Sequence, residues 1–91
     1  MSKITEYIEK QSANDPEFAR LYKIEQEKLD FALQVAQARK SAGLTQKELA
    51  AKIGKPQSTI SRIETGEMNP TIELIIEISM GLGKKFVLSI E

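Results

Sequence analysis

Gln57, Ser58, Ser61 and Arg62 fall on one side of a short run with helical spacing, and that side carries donors and acceptors but no acid. A glutamine amide matches an adenine edge, a guanidinium matches the O6 and N7 of guanine, and a serine hydroxyl suits either. An ordinary surface helix in a chain with 29% charged residues would more often carry glutamate here. The chemistry on offer is hydrogen bonding to a base edge, not bond making. Histidine and cysteine are both absent from the sequence. That removes the commonest general base, the thiol nucleophile, zinc thiolates and disulfides. The carboxylates are scattered, no glycine-rich loop could cradle a phosphate, and no nucleophile–base pair stands out. No enzyme, metal or cofactor is expected.

The 91 residues hold 13 basic and 13 acidic side chains, so the chain is neutral overall, but the charge is unevenly placed. Residues 1–30 carry five basic and seven acidic side chains, a balance of −2. Residues 31–66 carry six (Arg39, Lys40, Lys47, Lys52, Lys55, Arg62) against two (Glu48, Glu64), a balance of +4, and residues 67–91 return to −2. A basic middle third in a neutral chain is the footprint of a polyanion site. With 41% hydrophobic residues the chain suits one small folded domain and is too apolar to be disordered. No apolar run approaches the roughly 20 residues of a membrane span, and the first thirty residues are too charged for a signal peptide. The expected setting is the cytoplasm.

The elements that hold the polar face are marked by glycine, proline and capping residues. Gly43, Gly54, Gly66 and Gly83 each follow a helix-compatible run, where a left-handed residue closes a helix. Pro16, Pro56 and Pro70 each stand where a helix should begin. Thr45 and Glu48 form a capping-box pattern, and Thr71 can cap a further helix. The expected helices cover residues 3–11, 15–42, 45–53, 56–65 and 71–82. Leu49 and Ile53 on one short helix and Ile60 and Ile63 on the next point into one core, with Ala50 small where the two cross and Gly54 in the turn. Phe86, Leu88 and Ile90 alternate with the period of a strand. Residues 84–91 are therefore expected to form a short β-strand, paired to a second copy or to another protein, the alternative being an extended tail laid on its own core.

The run Arg39-Lys-Ser-Ala-Gly43-Leu-Thr-Gln46-Lys-Glu-Leu-Ala50-Ala-Lys-Ile-Gly54, continuing through Gln57-Ser-Thr-Ile60-Ser-Arg62-Ile-Glu64-Thr-Gly66 to Asn69-Pro70-Thr71, resembles the Cro/phage-repressor (XRE-like) helix-turn-helix family. The resemblance spans about residues 30–83. It implies an all-α, five-helix lambda-repressor-like domain over 30–83, with residues 1–29 as a helical extension and 84–91 as the C-terminal strand. It also implies a homodimer on a palindromic double-stranded DNA operator. By matching position, Gln57, Ser58 and Arg62 would contact base edges. Gln46, Lys47, Lys55, Thr59 and Asn69 would contact phosphates, and Arg39 and Glu64 would pair to hold the recognition helix. One departure is Pro56, where many members place serine or threonine. It is expected to start the helix one residue early, which bears on the register of Gln57.

The extension carries apolar stripes of its own: Ile4, Tyr7 and Ile8, then Phe18, Leu21 and Tyr22, with Leu29 beyond. These are either added core or a partner-binding surface, since tyrosine and phenylalanine anchor interfaces well. With its Leu-Gly-Lys-Lys-Phe-Val-Leu ending, the chain is similar to HigA-type antitoxins. That similarity implies a partner toxin, a small basic mRNA-cleaving protein of the RelE-like fold, bound through Ile4, Tyr7, Ile8, Phe18, Leu21 and Tyr22, and autorepression of the operon. A stand-alone phage-type or metabolic repressor uses the same motif without a toxin. A pure protein-interaction module would place acidic or bulky apolar groups where Gln57, Ser58 and Arg62 stand.

Overall fold

The computed structural model describes residues 2–91, and its helices start and stop where local groups satisfy the backbone. Helix α1 (Lys3–Asn14) opens on Ser2, whose hydroxyl accepts from the Thr5 N–H. Asp15 closes α1 and opens α2 (Pro16–Ser41). Its N–H donates to the Gln11 carbonyl, and its carboxylate accepts from the N–H groups of Glu17 and Phe18. Helices α3 (Gln46–Ile53), α4 (Gln57–Glu64) and α5 (Ile72–Gly81) follow, and the Thr71 hydroxyl caps α5 by accepting from the Leu74 N–H.

The turn between α3 and α4 is closed by Gly54 at φ 67°, in the left-handed region where a Cβ would be strained. The Lys55 N–H reaches the Ala50 carbonyl at 2.9 Å and the Gly54 N–H reaches Ala51 at 3.3 Å, so the last carbonyls of α3 are satisfied while the chain reverses. That closure lets α4 start at once and cross α3 over Ala50, which is buried. Val35, Leu49, Ala50, Ile60, Ile63, Leu74 and Ile78 form the core, with Phe31, Leu44, Ile53, Met68 and Leu82 packed around it. Every helix from α2 to α5 contributes to it. The expected convergence of Leu49, Ile60 and Ile63 is what the structure shows, with Ile53 at the margin.

Helix α1 contributes nothing to this core. It lies against α2 and buries no residue, and α2 itself is buried only at Ala32, Val35 and Arg39. All of α1 and the N-terminal part of α2 lie outside this core, in a molecule of 46 × 25 × 20 Å. The extension is thus not additional core.

The C-terminal strand expected at residues 84–91 does not form, and no strand occurs among the described residues. The alternation of Phe86, Leu88 and Ile90 supplies a two-faced segment, but a strand is defined by a ladder, and no edge is present to pair with it. Phe86 instead turns into a groove beside Phe31, Val35 and Ile78, while Val87, Leu88 and Ile90 are exposed.

Gly81 is required for a reason its sequence context does not display. A Cβ there would lie 2.7 Å from Ile53 Cγ2 and 3.1 Å from Leu49 Cδ1, so α5 closes on α3 only without a side chain. Leu49 is fully buried and cannot give way. Gly81→Ala is therefore expected to destabilise the protein by about 1–3 kcal/mol despite its better helix propensity. Urea unfolding measures this, and unchanged stability would show that the α3–α5 contact is slack.

Candidate nucleic-acid interface

The first turn of α3 is held by a complete capping box. Thr45 Oγ1 accepts from the Glu48 N–H at 3.1 Å, and the Glu48 carboxylate accepts from the Thr45 N–H at 2.9 Å. These bonds to Thr45, its backbone N–H foremost, hold the Glu48 carboxyl below its ordinary pKa. The start of α3 therefore stays ordered, and the charge that opposes a phosphate there is engaged with the backbone.

Pro56 does not begin α4 one residue early. It is the N-cap, at φ −64° and ψ 148°, and it offers no side-chain hydrogen bond. An extended ψ keeps it out of the helix, while its carbonyl still accepts from the Thr59 N–H at 3.0 Å. Gln57 is thus the first helical residue and Ser58 the second. Gln57, Ser58 and Arg62 are exposed and Ser61 is half-buried, all on the side opposite the buried Ile60 and Ile63. No acidic residue lies in the first turn of α4. The expected face is therefore assembled, on a helix whose other side is locked in the core.

Arg39 and Glu64 pair as anticipated. Arg39 Nε donates to Glu64 Oε2 at 2.7 Å, Nη2 donates to Oε1 at 3.0 Å, and Nη1 donates to the Leu44 carbonyl at 2.6 Å. Their side chains are only 10% and 6% exposed. Through these bonds the end of α2, the loop before α3 and the end of α4 are fixed to one another. The hydrogen bonds that Arg39 donates to Glu64 hold its guanidinium above its ordinary pKa, so its charge is permanent. Gln46 joins the same cluster, its Nε2 donating to Glu64 Oε1 at 3.2 Å. This bond was not foreseen from sequence, since nothing local links residues 18 apart.

The other residues expected near phosphates are divided by the fold. Glu64 lies one helical row from Gln57 and Ser61, so Gln46 borders the exposed face of α4. Lys47 is exposed one residue further along α3. Lys55 and Thr59 lie instead toward α5, in a cleft shared with Glu73 and Glu77, and Lys55 Nζ approaches Glu77 Oε2 at 3.8 Å. Asn69 is exposed in the loop before α5, beside Pro70. Of the extension residues, Ile4 is 73% and Tyr7 64% exposed, and Leu21 is also exposed. Ile8 is half-buried, as are Phe18 and Tyr22, whose rings stack at 6.1 Å. Among the described residues no group of carboxylates could hold a metal, and no helix is long and apolar enough to cross a membrane.

Two short helices crossing over a small residue, joined by a left-handed glycine turn, with the second helix presenting a polar face, define a helix-turn-helix unit. Residues 35–88 match the model of the Helix-turn-helix family, and the chain belongs to that family, of XRE-like type. It is 38% identical over 52 residues to the uncharacterized HTH-type transcriptional regulator y4dJ of Sinorhizobium fredii, covering 57% of this chain and 68% of that protein. It is 36% identical over 53 residues to an uncharacterized HTH-type transcriptional regulator of Methanothermobacter thermautotrophicus, covering 58% and 77%. A third such regulator, from Haemophilus influenzae, is 38% identical over 47 residues, covering 52% and 48%. The family match leaves residues 1–34 outside it.

Breaking the buried pair from one side strands a charge. Glu64→Ala is expected to cost about 3–5 kcal/mol, whereas the double replacement Arg39→Met with Glu64→Leu recovers most of that loss. Equal losses for the single and the double variant in urea melts would contradict this account of the pair.

Proposed function

We propose that the protein is a sequence-specific DNA-binding transcriptional repressor that acts as a homodimer. The observation carrying this reading is the acid-free face of α4, held on a fixed core by Ile60 and Ile63 and clamped at its end by the Arg39–Glu64 pair. In this reading α4 enters the major groove, Gln57 takes an adenine edge, Ser58 bonds beside it, and Arg62 reaches guanine O6 and N7. Gln46, Lys47 and Asn69 bond phosphates around it. Lys55 and Thr59 flank from the α5 side, where Lys55 exchanges its exposed contact with Glu77 for a phosphate. The names of the similar regulators support the same reading.

A second copy is supported by α5, whose Ile72, Ile76 and Met80 form an exposed apolar stripe at i, i+4 and i+8. Two copies would address half-sites about 34–36 Å apart, or a multiple of that distance. The finer reading is that the protein is the antitoxin of a toxin–antitoxin pair, neutralising a small basic RelE-like mRNA-cleaving toxin and autorepressing its operon. Its support is the N-terminal extension, α1 and the start of α2, which exposes Ile4, Tyr7 and Leu21 and adds nothing to the core. A stable complex with such a toxin, lost in Tyr7→Ala/Leu21→Ala, supports that reading. A protein that represses without any toxin is the stand-alone repressor.

Selection of duplexes from a random pool tests the DNA reading. A palindrome should be enriched, and Arg62→Ala or Gln57→Ala should lower affinity for it by about 1–3 kcal/mol while relaxing sequence choice. Lys47→Ala should weaken all duplexes alike. Equal loss for Gln57→Ala on selected and random duplexes would remove its base-reading role, and no enrichment would remove the repressor reading.

A further inference from the structure

Glu64 satisfies Arg39 and also holds Gln46. Its Oε1 accepts Arg39 Nη2 at 3.0 Å and Gln46 Nε2 at 3.2 Å, while Oε2 is taken by Arg39 Nε. A carboxylate only accepts, so the nitrogen of the Gln46 amide must face Glu64 and the orientation of that amide is fixed. One of the two hydrogens on Nε2 is used in this bond, and the second is left for another acceptor. Gln46 is also the first residue of α3, where the N–H groups have no partner within the helix.

We infer that Glu64 is a positioning residue for DNA binding: it takes one hydrogen of the Gln46 amide so that the other is presented to a DNA phosphate beside α4. The inference rests on the DNA-binding reading above. An amide nitrogen suits this place because it donates to two anions at once without burying a further charge; a serine there would have one hydrogen for both. The negative charge of Glu64 does not repel the phosphate strongly, because Arg39 neutralises it at 2.7 Å. Helix α4 and the phosphate contact thereby share one clamp, so that the base-reading face and the backbone grip move as a unit.

The sign of one substitution separates this role from plain electrostatics. Glu64→Gln removes a negative charge near DNA, so Coulomb attraction alone makes binding tighter. Positioning makes it weaker. We expect Glu64→Gln and Gln46→Ala each to weaken binding by about tenfold, equally on a random-sequence duplex and on the selected palindrome, the loss of one hydrogen bond to a charged group. The double variant should lose no more than either single variant. The slope of affinity against salt should be unchanged in Gln46→Ala, because an amide carries no charge, whereas Lys47→Ala should flatten it by about 0.9. Gln46→Ala leaves the ion pair intact, so it stands as the test if Glu64→Gln fails to fold. On the unaltered protein, adding duplex should shift one of the two Gln46 side-chain amide proton resonances and leave the other in place. Tighter or unchanged binding by Glu64→Gln, additive losses, or equal shifts of both protons would overturn the inference while leaving DNA binding standing. Failure of the unaltered protein to bind either duplex would overturn both.

Discussion

The arrangement depends on an ion pair that joins two residues 25 apart in the chain. An eight-residue helix such as α4 has too few internal hydrogen bonds to persist alone, so its place and orientation come from what it is packed against. Ile60 and Ile63 fix one side in the core, but apolar contacts do not set the angle of the far end. The bidentate grip of Arg39 on Glu64 does, because two parallel N–H···O bonds have a fixed plane. The third donor of Arg39, spent on the Leu44 carbonyl, extends that control to the loop that opens α3. With α2, α3 and α4 referred to one guanidinium, a polar face on α4 acquires a defined direction.

What could be read from the sequence follows from the range over which each signal acts. The capping box at Thr45, the left-handed turn at Gly54 and the apolar spacing of Leu49, Ile60 and Ile63 are local or nearly so, and all stand where expected. Pro56 was legible as a helix start but not as a cap, since its fixed φ suits either position and only ψ decides between them. The alternation at residues 84–91 describes a segment with two faces, and whether it becomes a strand depends on an edge the segment does not contain. Gly81 looks like any small residue near a helix end until α3 is seen against it. The Gln46–Glu64 bond is hidden for the same reason, because its two residues meet only after α3 and α4 have crossed. The extension shows the reverse case. Its stripes of Tyr and Phe are legible, but the choice between core and surface is made by the length of α2, which carries them past the globular part.

The distribution of charge fits the same division of labour. The basic excess of residues 31–66 is spread over the end of α2, α3, α4 and the turn between them, while three of the cations of residues 1–30 are engaged by their own helix, as Arg20 with Glu17, Lys23 with Glu27 and Lys28 with Glu25. Such exposed pairs contribute little to stability. Residues 1–30 keep a balance of −2, opposite in sign to the +4 of residues 31–66.

The central claim is that α4 reads bases and does not merely grip the backbone. Replacing guanines one at a time in the enriched duplex by 7-deazaguanine removes the N7 acceptor while leaving pairing and backbone unchanged. The account predicts one position in each half-site where the analogue weakens the unaltered protein by about tenfold, the share of a bidentate guanine contact. At that position Arg62→Ala should be indifferent to the replacement. Equal losses in the two proteins, or no sensitive position in the half-site, would contradict it.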